Sequence, residues 1–223
     1  MGLRILRVCV ALTLMVSGAL MYAASRQRWS GACPWGNDPD TRACDLRMDH
    51  LYDFLPPAEP WEPAGIAPEL AGASLLIFAV ALAALPWALA GRRPGSGTVL
   101  ALVVCLLAVI DVGVAVLRSG LDDTVVHPFG DGLTMWLWIL VLPVFISWLA
   151  FTSRGWAAAA AVLLVLASPL VAAFTYAIGS FDAAPWYEAI SGGLMAGAGG
   201  CLLVEAARRS TRRRAAPVES AVM

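Results

Sequence analysis

Six long apolar stretches alternate with short polar segments along the chain, and each is long enough to cross a bilayer as a helix. In the third stretch, residues 99–117, Asp111 is the one polar side chain. As an α-helix this stretch is about 28 Å long, close to the thickness of a hydrocarbon core. The pattern predicts six transmembrane helices, at about 3–24, 70–90, 99–117, 133–151, 156–178 and 187–206.

The composition agrees with a membrane protein. Hydrophobic residues make up 60% of the 223 residues and charged residues 14%, and the mean hydropathy is +0.75. Soluble domains contain about 25% charged residues. We therefore expect an all-α, polytopic helix bundle whose solvent is the lipid bilayer. All 15 basic residues are arginine, which we attribute to codon usage in a GC-rich bacterial genome, and we expect the bacterial plasma membrane.

The first apolar stretch has two interpretations. Arg4 and Arg7 precede an apolar segment, as in a secretory signal peptide. Only Ala23-Ala24-Ser25 offers small residues for cleavage, which favours a retained signal anchor. Both interpretations leave the following loop outside the cell.

Arginine is unevenly distributed between the two sides of the predicted bundle. The segments on the side of the termini contain ten arginines. Those on the other side contain five arginines with thirteen acidic residues, when Glu188 at the start of the sixth stretch is included. The ten are Arg4, Arg7, Arg92, Arg93, Arg154, Arg208, Arg209, Arg212, Arg213 and Arg214. The positive-inside rule then places both termini in the cytoplasm. Residues 1–207 are predicted to form the transmembrane domain, and 208–223 a basic, disordered cytoplasmic tail.

The first outer loop, 26–69, is the longest polar segment. Within it, Cys44, Met48, Leu51 and Leu55 recur at helical spacing before Pro56 and Pro57 end the pattern. This spacing predicts a short amphipathic helix over about 43–55, lying against the bundle or the lipid headgroups.

Cys33 and Cys44 lie in this outer loop, where the environment is oxidising. We expect a structural disulfide that closes the loop into a cap and contributes about 3 kcal/mol in the chain-entropy model. The alternative is a redox pair that exchanges electrons with a membrane quinone. Such proteins use closely spaced pairs such as C-x-x-C, and this sequence contains none.

Asp111 is the sharpest functional candidate, because a carboxylate within a membrane helix costs about 3 kcal/mol on insertion scales. It is either a proton or cation relay or a structural group. In the structural case it bonds Thr134, Thr175 or Tyr176 of another span, or a partner subunit. Arg118 lies two turns along the same face, and its long side chain reaches part of the way back towards Asp111.

The sixth span contains small residues at four-residue spacing. Gly192, Ala196 and Gly200 form one such series, and Gly193, Gly197 and Cys201 form a second. Small residues at this spacing allow close helix contact. The contact is either within the chain or with a membrane-protein partner or second copy of the chain.

No motif indicates a metal site, a cofactor or nucleic acid. Asp38 and Asp40 resemble the start of a calcium loop, but the glycine and distal glutamate of that motif are missing. We read the outer acidic residues as a solvated surface, and the arginine-rich tail as a contact for anionic lipids.

Three functional hypotheses remain. The first is an accessory or scaffolding subunit of a bacterial envelope complex, based on short inner loops, sparse intramembrane chemistry and an elaborated outer loop. The second is a small transporter or channel-like protein that uses Asp111. The third is a membrane thiol-disulfide oxidoreductase that uses Cys33 and Cys44.

Overall fold

The computed structural model describes residues 2–35, 41–178 and 182–214, and this part of the chain is helical or irregular, with no strand. Its helices are α1 Gly2–Trp29, α2 Arg42–Met48, α3 Ala67–Ala90, α4 Ser96–Asp122, α5 Asp131–Trp136, α6 Leu142–Thr152, α7 Trp156–Leu166, α8 Pro169–Ile178 and α9 Tyr187–Arg214. A π-helical turn, Leu137–Val141, joins α5 to α6, just before Pro143 removes a helical N–H donor.

Five of the described helical segments are long and apolar enough to cross a membrane. These are α1, α3, α4, the continuous segment Asp131–Thr152, and α9 over Tyr187–Arg208. The all-helical, multi-pass architecture expected from the sequence is therefore present. Helix α1 packs against α9 and α3, α3 packs against α4, and α9 packs against α7. Helix α6 contacts α7 and α4, which closes the bundle.

The predicted fifth span is not one helix. Helix α7 ends at Leu166, and α8 begins at Pro169. Proline disfavours the helical conformation for the residue before it and has no N–H to donate, so Ser168-Pro169 interrupts the helix although the apolar pattern continues through it.

Helix α9 satisfies carbonyl groups that this interruption leaves without helical partners. Tyr187 Oη donates to the Leu166 carbonyl at 3.3 Å, and Ser191 Oγ donates to the Ala167 carbonyl at 2.7 Å. In an apolar solvent these carbonyls need such partners within the protein. The interruption is thus stabilised by side chains of a neighbouring helix.

Helices α1 and α9 approach closely through glycine, but at a different spacing from the one predicted. A Cβ atom on Gly192 would lie 2.5 Å from the Gly18 carbonyl oxygen, and one on Gly199 would lie 2.6 Å from the Ala11 carbonyl oxygen. The contact therefore uses seven-residue spacing, with Ala196 beside Gly18.

The remaining small residues of α9 lie elsewhere. Gly193 and Gly200 face open space, and Gly197 faces Leu163 of α7. The four-residue series expected from the sequence is therefore divided among three directions, because α9 packs on two neighbours at once.

The described residues of the loop between α1 and α3 (30–35 and 41–66), which we call the cap, cover the end of the bundle where α1 ends. Cys33 and Cys44 lie at disulfide distance, with Cα atoms 5.0 Å apart. The helix expected over 43–55 extends only over Arg42–Met48, with Cys44 and Met48 buried. Thr41 Oγ1 accepts the Cys44 N–H at its start.

Some of the residues singled out in the sequence lie outside the part of the chain that the structure describes. Asp38, Asp40 and the tail residues 215–223 lie outside the described residues, as do the side chains of Thr175 and Tyr176. Helix α9 continues to Arg214, beyond the tail boundary predicted at 207.

Substituting Gly192 tests the contact between α1 and α9. We expect Gly192→Ala to lower the free energy of unfolding by about 1–3 kcal/mol, because the new methyl group collides with the Gly18 carbonyl. Denaturant titration of the purified protein in detergent measures the change.

Gly193→Ala is the matched control, because it adds the same methyl group one residue away, in open space. We expect it to be neutral or stabilising by up to about 1 kcal/mol, from the higher helix propensity of alanine. Equal losses at the two positions would contradict the assignment of Gly192 to the close contact.

Candidate functional site

The side chain of Arg28, near the end of α1, is the centre of a buried polar cluster. Arg28 is only 4% exposed. Its guanidinium donates to the carbonyls of Arg47, His50 and Leu51, at 2.9, 2.5 and 2.6 Å. All three carbonyls belong to the cap, so one side chain of the bundle binds the cap backbone at three points within five residues.

Two carboxylates complete the cluster. Arg28 Nη1 lies 3.3 Å from Glu188 Oε1 and 3.6 Å from Asp53 Oδ1. The other oxygen of Glu188, Oε2, accepts the indole N–H of Trp29 at 2.7 Å. Glu188 lies in the first turn of α9 and is fully buried. The cluster therefore connects α1, α9 and the cap through one guanidinium.

Asp53 is the carboxylate that the cap itself contributes to the cluster. Burial raises the pKa of Asp53 above its ordinary value, although the guanidinium groups of Arg28 and Arg47 lower it. A carboxyl group with a raised pKa holds a proton more readily in the folded chain than in the unfolded chain. The protonated form of Asp53 therefore favours the folded state more than the carboxylate does. The stability that this protonation contributes is lost as pH rises through the pKa of Asp53 in the folded protein.

A second buried arginine lies at the opposite end of α1. Arg7 is 1% exposed, donates its Nε–H to the Ala88 carbonyl at 2.8 Å, and lies 3.7 Å from Glu205 of α9. Arg7 and Arg28 are separated by about 32 Å along the helix, close to a hydrocarbon thickness. Ion pairs between α1 and α9 thus lie at both ends of their apolar contact.

Asp111 is engaged in a structural contact. Its carboxylate accepts the N–H groups of Phe129 and Gly130 at 2.8 and 3.0 Å, and the hydroxyl of Thr134 at 2.7 Å. Thr134 is one of the partners that the sequence suggests. These three donors lie at the start of α5, so the carboxylate holds the beginning of the fourth apolar segment against α4.

The connection between α4 and α5 explains how Asp111 reaches these donors. Helix α4 continues to Asp122, and the chain then returns alongside it. Val126 N–H donates to Ser119 Oγ at 2.8 Å on the way back. Arg118 does not turn towards Asp111 as expected, because its guanidinium pairs with Asp122 at 3.3 Å in an exposed ion pair.

Cys33 and Cys44 are both buried, at 5% and 0% exposure. The Cys33 carbonyl also accepts the indole N–H of Trp186 at 2.7 Å. Two further hydrogen bonds join the cap to the segment before α9, from Ala183 N–H to the Met48 carbonyl and from Ala184 N–H to Tyr52 Oη. The cysteine pair thus lies in a part of the cap that is hydrogen-bonded to the segment before α9.

Sequence reasoning missed the Arg28 cluster. Arg28 and Glu188 lie at the edges of two apolar stretches that are 160 residues apart, where charged residues are ordinarily solvated. The feature of the sequence that could have predicted the Arg28–Glu188 pair is that the two residues have opposite charges and lie at the same predicted end of the bundle.

Within the described ranges, no group of three or more His, Cys, Asp or Glu side chains is arranged to hold a metal ion. Comparisons with known protein families, with curated proteins and with solved structures find no match. The assignment of a function therefore depends on the geometry of the chain itself.

Replacing Arg28 tests the importance of the cluster. We expect Arg28→Met to lower the free energy of unfolding by about 3–5 kcal/mol, because it leaves a buried Glu188 carboxylate without its cation. Denaturant titration in detergent gives the change, and proteolysis of the cap reports its release. Arg118→Met, which removes an exposed ion pair, is the control and should change stability by less than about 1 kcal/mol. Equal effects of the two variants would refute the role assigned to Arg28.

Asp111→Ala tests the structural contact at the start of α5. It removes the acceptor of three donors, so we expect a loss of about 1–3 kcal/mol in unfolding free energy. Asp122→Ala, at an exposed position in the same helix, should cost less than about 0.5 kcal/mol. An unchanged unfolding midpoint for Asp111→Ala would show that the contact does not stabilise the bundle.

Proposed function

We propose that this chain is an accessory or scaffolding subunit of a bacterial envelope complex. It lies in the plasma membrane, crosses it six times, and presents the cap outside the cell. The observation that carries this proposal is the attachment of the cap, whose backbone carbonyls bind the buried guanidinium of Arg28. A segment held in this way offers a partner a preformed surface, which lowers the cost of binding.

The proposed topology is supported by the helices and by the charges. Five segments are long enough to span, and α7 with α8 leads the chain from α6 back to the cap. We count this interrupted pair as the remaining crossing. The arginine-rich segments all lie at the end opposite the cap, which supports cytoplasmic termini and an outer cap.

The polar groups between the helices support a structural role over a transport role. Asp111 accepts three hydrogen bonds from its own chain. Ser17 of α1 and Ser74 of α3 each donate to the other's carbonyl at 2.8 Å. A proton or cation relay must break and re-form such hydrogen bonds during each transport cycle, whereas in a scaffold they stay formed. The buried cysteine pair likewise supports a structural bridge over a redox centre.

The cap also exposes two large apolar side chains, one of which, Trp35, contacts the ring of Trp186 edge-to-face. Trp35 is 68% exposed and Leu46, on α2, is 53% exposed. Tryptophan is enriched among the residues that contribute most to protein interfaces, and leucine adds apolar contact area around them. These two residues are therefore the proposed contact points for a partner subunit.

Introducing a charge at Leu46 tests the partner proposal. We expect native mass spectrometry of the gently extracted protein to show a second polypeptide in fixed ratio. Leu46→Asp should remove that polypeptide from the complex while the unfolding midpoint stays unchanged, because an exposed side chain contributes little to folding.

Thr124→Asp is the control, since it places the same charge at an exposed position between α4 and α5, outside the cap. It should leave the complex intact. A chain that is extracted alone from its native membrane under every mild condition, or a complex that survives Leu46→Asp, would refute the proposal.

A further inference from the structure

Two carboxylates share one guanidinium in the Arg28 cluster. Glu188 Oε1 and Asp53 Oδ1 lie 3.3 and 3.6 Å from the same nitrogen, Nη1 of Arg28, so the two carboxylates are close neighbours. The side chains of Arg28 and Glu188 are buried, and that of Asp53 is 14% exposed. If both carboxylates are ionised, this buried cluster holds one more negative charge than positive.

The other charged and titratable groups near Asp53 come from the cap, from α3 and from the segment before α9. They are Arg47, His50, Glu62, Glu69 and Asp182. Arg47 is partly exposed and donates to the carbonyl of Glu62 at 3.2 Å, and His50 lies 3.4 Å from the Glu62 carboxylate. Apart from Arg28, the described groups at this end of the bundle therefore include no buried cation.

One proton on the pair of carboxylates removes the excess charge. Two buried carboxylates on one counter-ion repel each other, and too little water is present to solvate the second charge. Burial raises the pKa of Asp53, which is the direction that this arrangement requires. Asp53 also lines an open cleft of the cap, so solvent protons reach the pair from its side, whereas Glu188 is fully buried.

We propose that Asp53 and Glu188 share one proton while the cap is attached, and that loss of this proton loosens the cap. The proton belongs to the pair rather than to one residue. Its loss leaves a net negative charge under the cap, and opening of the cap lets water solvate that charge. The cap carbonyls then lose Arg28 as their donor. This inference does not depend on the partner contact at Leu46.

The direction of the pH dependence follows from where the proton is held more tightly. In the open form Asp53 is in water, where the pKa of an aspartate is about 3.9. Between that pH and the higher pKa of the closed form, the closed cap holds one proton more than the open cap. The opening equilibrium should therefore rise by up to about tenfold for each pH unit across this window, and stay constant above it.

Hydrogen–deuterium exchange of the full-length protein in nanodiscs measures this opening. The observable is the protection factor of the cap amides within residues 42–55. It compares each measured rate with that of the unfolded chain at the same pH, so the intrinsic pH dependence of exchange cancels. We expect the protection factor of the wild type to fall as pH rises from about 4, by up to about tenfold for each pH unit.

Two variants test whether the proton is shared. Asp53→Asn and Glu188→Gln each leave one carboxylate for one guanidinium, so in both the protection factor should no longer depend on pH. Asp49→Asn is the matched control, because it removes an exposed carboxylate of the cap and should keep the pH dependence of the wild type. If one of the two variants fails to fold, the other still decides the outcome.

The ion pair of His50 with Glu62 also weakens as pH rises, because it requires a protonated imidazole. His50→Gln removes this pair and should retain the pH dependence of the cap. Three results would overturn the proposal. They are a wild-type protection factor that does not change with pH, a pH dependence that persists in folded Asp53→Asn or Glu188→Gln, and a pH dependence that is lost in His50→Gln.

Discussion

The antiparallel pairing of α1 with α9 is the contact on which the rest of the structure depends. Glycine lets the two backbones meet in the middle, at Gly18 and Gly192. At the ends, Arg7 pairs with Glu205 and Arg28 with Glu188. A hydrocarbon solvent penalises an unpaired charge far more than an apolar contact rewards a pair of helices. The ion pairs therefore fix the register, and the glycines determine how closely the helices approach.

The cap and the interrupted helix both depend on this pair. The guanidinium of Arg28 is buried between Glu188 of α9, to which it donates, and the cap carbonyls of Arg47 and His50. On the other side of α9, Tyr187 and Ser191 supply the donors that the break between α7 and α8 requires. Helix α9 thus satisfies polar groups on two sides within its first two turns, which explains why its start is rich in polar side chains.

The apolar pattern predicts six spanning helices, and five of the described segments are long and apolar enough to span, since lipid leaves few alternatives to a helix. It failed at Ser168-Pro169, where the apolar composition continues but the hydrogen-bond ladder cannot. For the site, Thr134 was among the partners foreseen for Asp111. The pairing of Arg28 with Glu188 was not foreseen, because it follows from a register between helices far apart in the chain. No local pattern encodes that register.

Buried polar side chains are paired in both the bundle and the cap, with a few exceptions in each. Between the helices, Asp111 and the Ser17–Ser74 pair are satisfied within the chain, as a solvent without water demands. In the cap, Asp53 and Trp61 each keep a buried polar atom without a partner, and Ser25 of α1 and Ser168 between α7 and α8 do the same in the bundle. Unpaired polar atoms therefore do not distinguish the two regions. What distinguishes the cap is its attachment, in which three backbone carbonyls bind one buried guanidinium of the bundle.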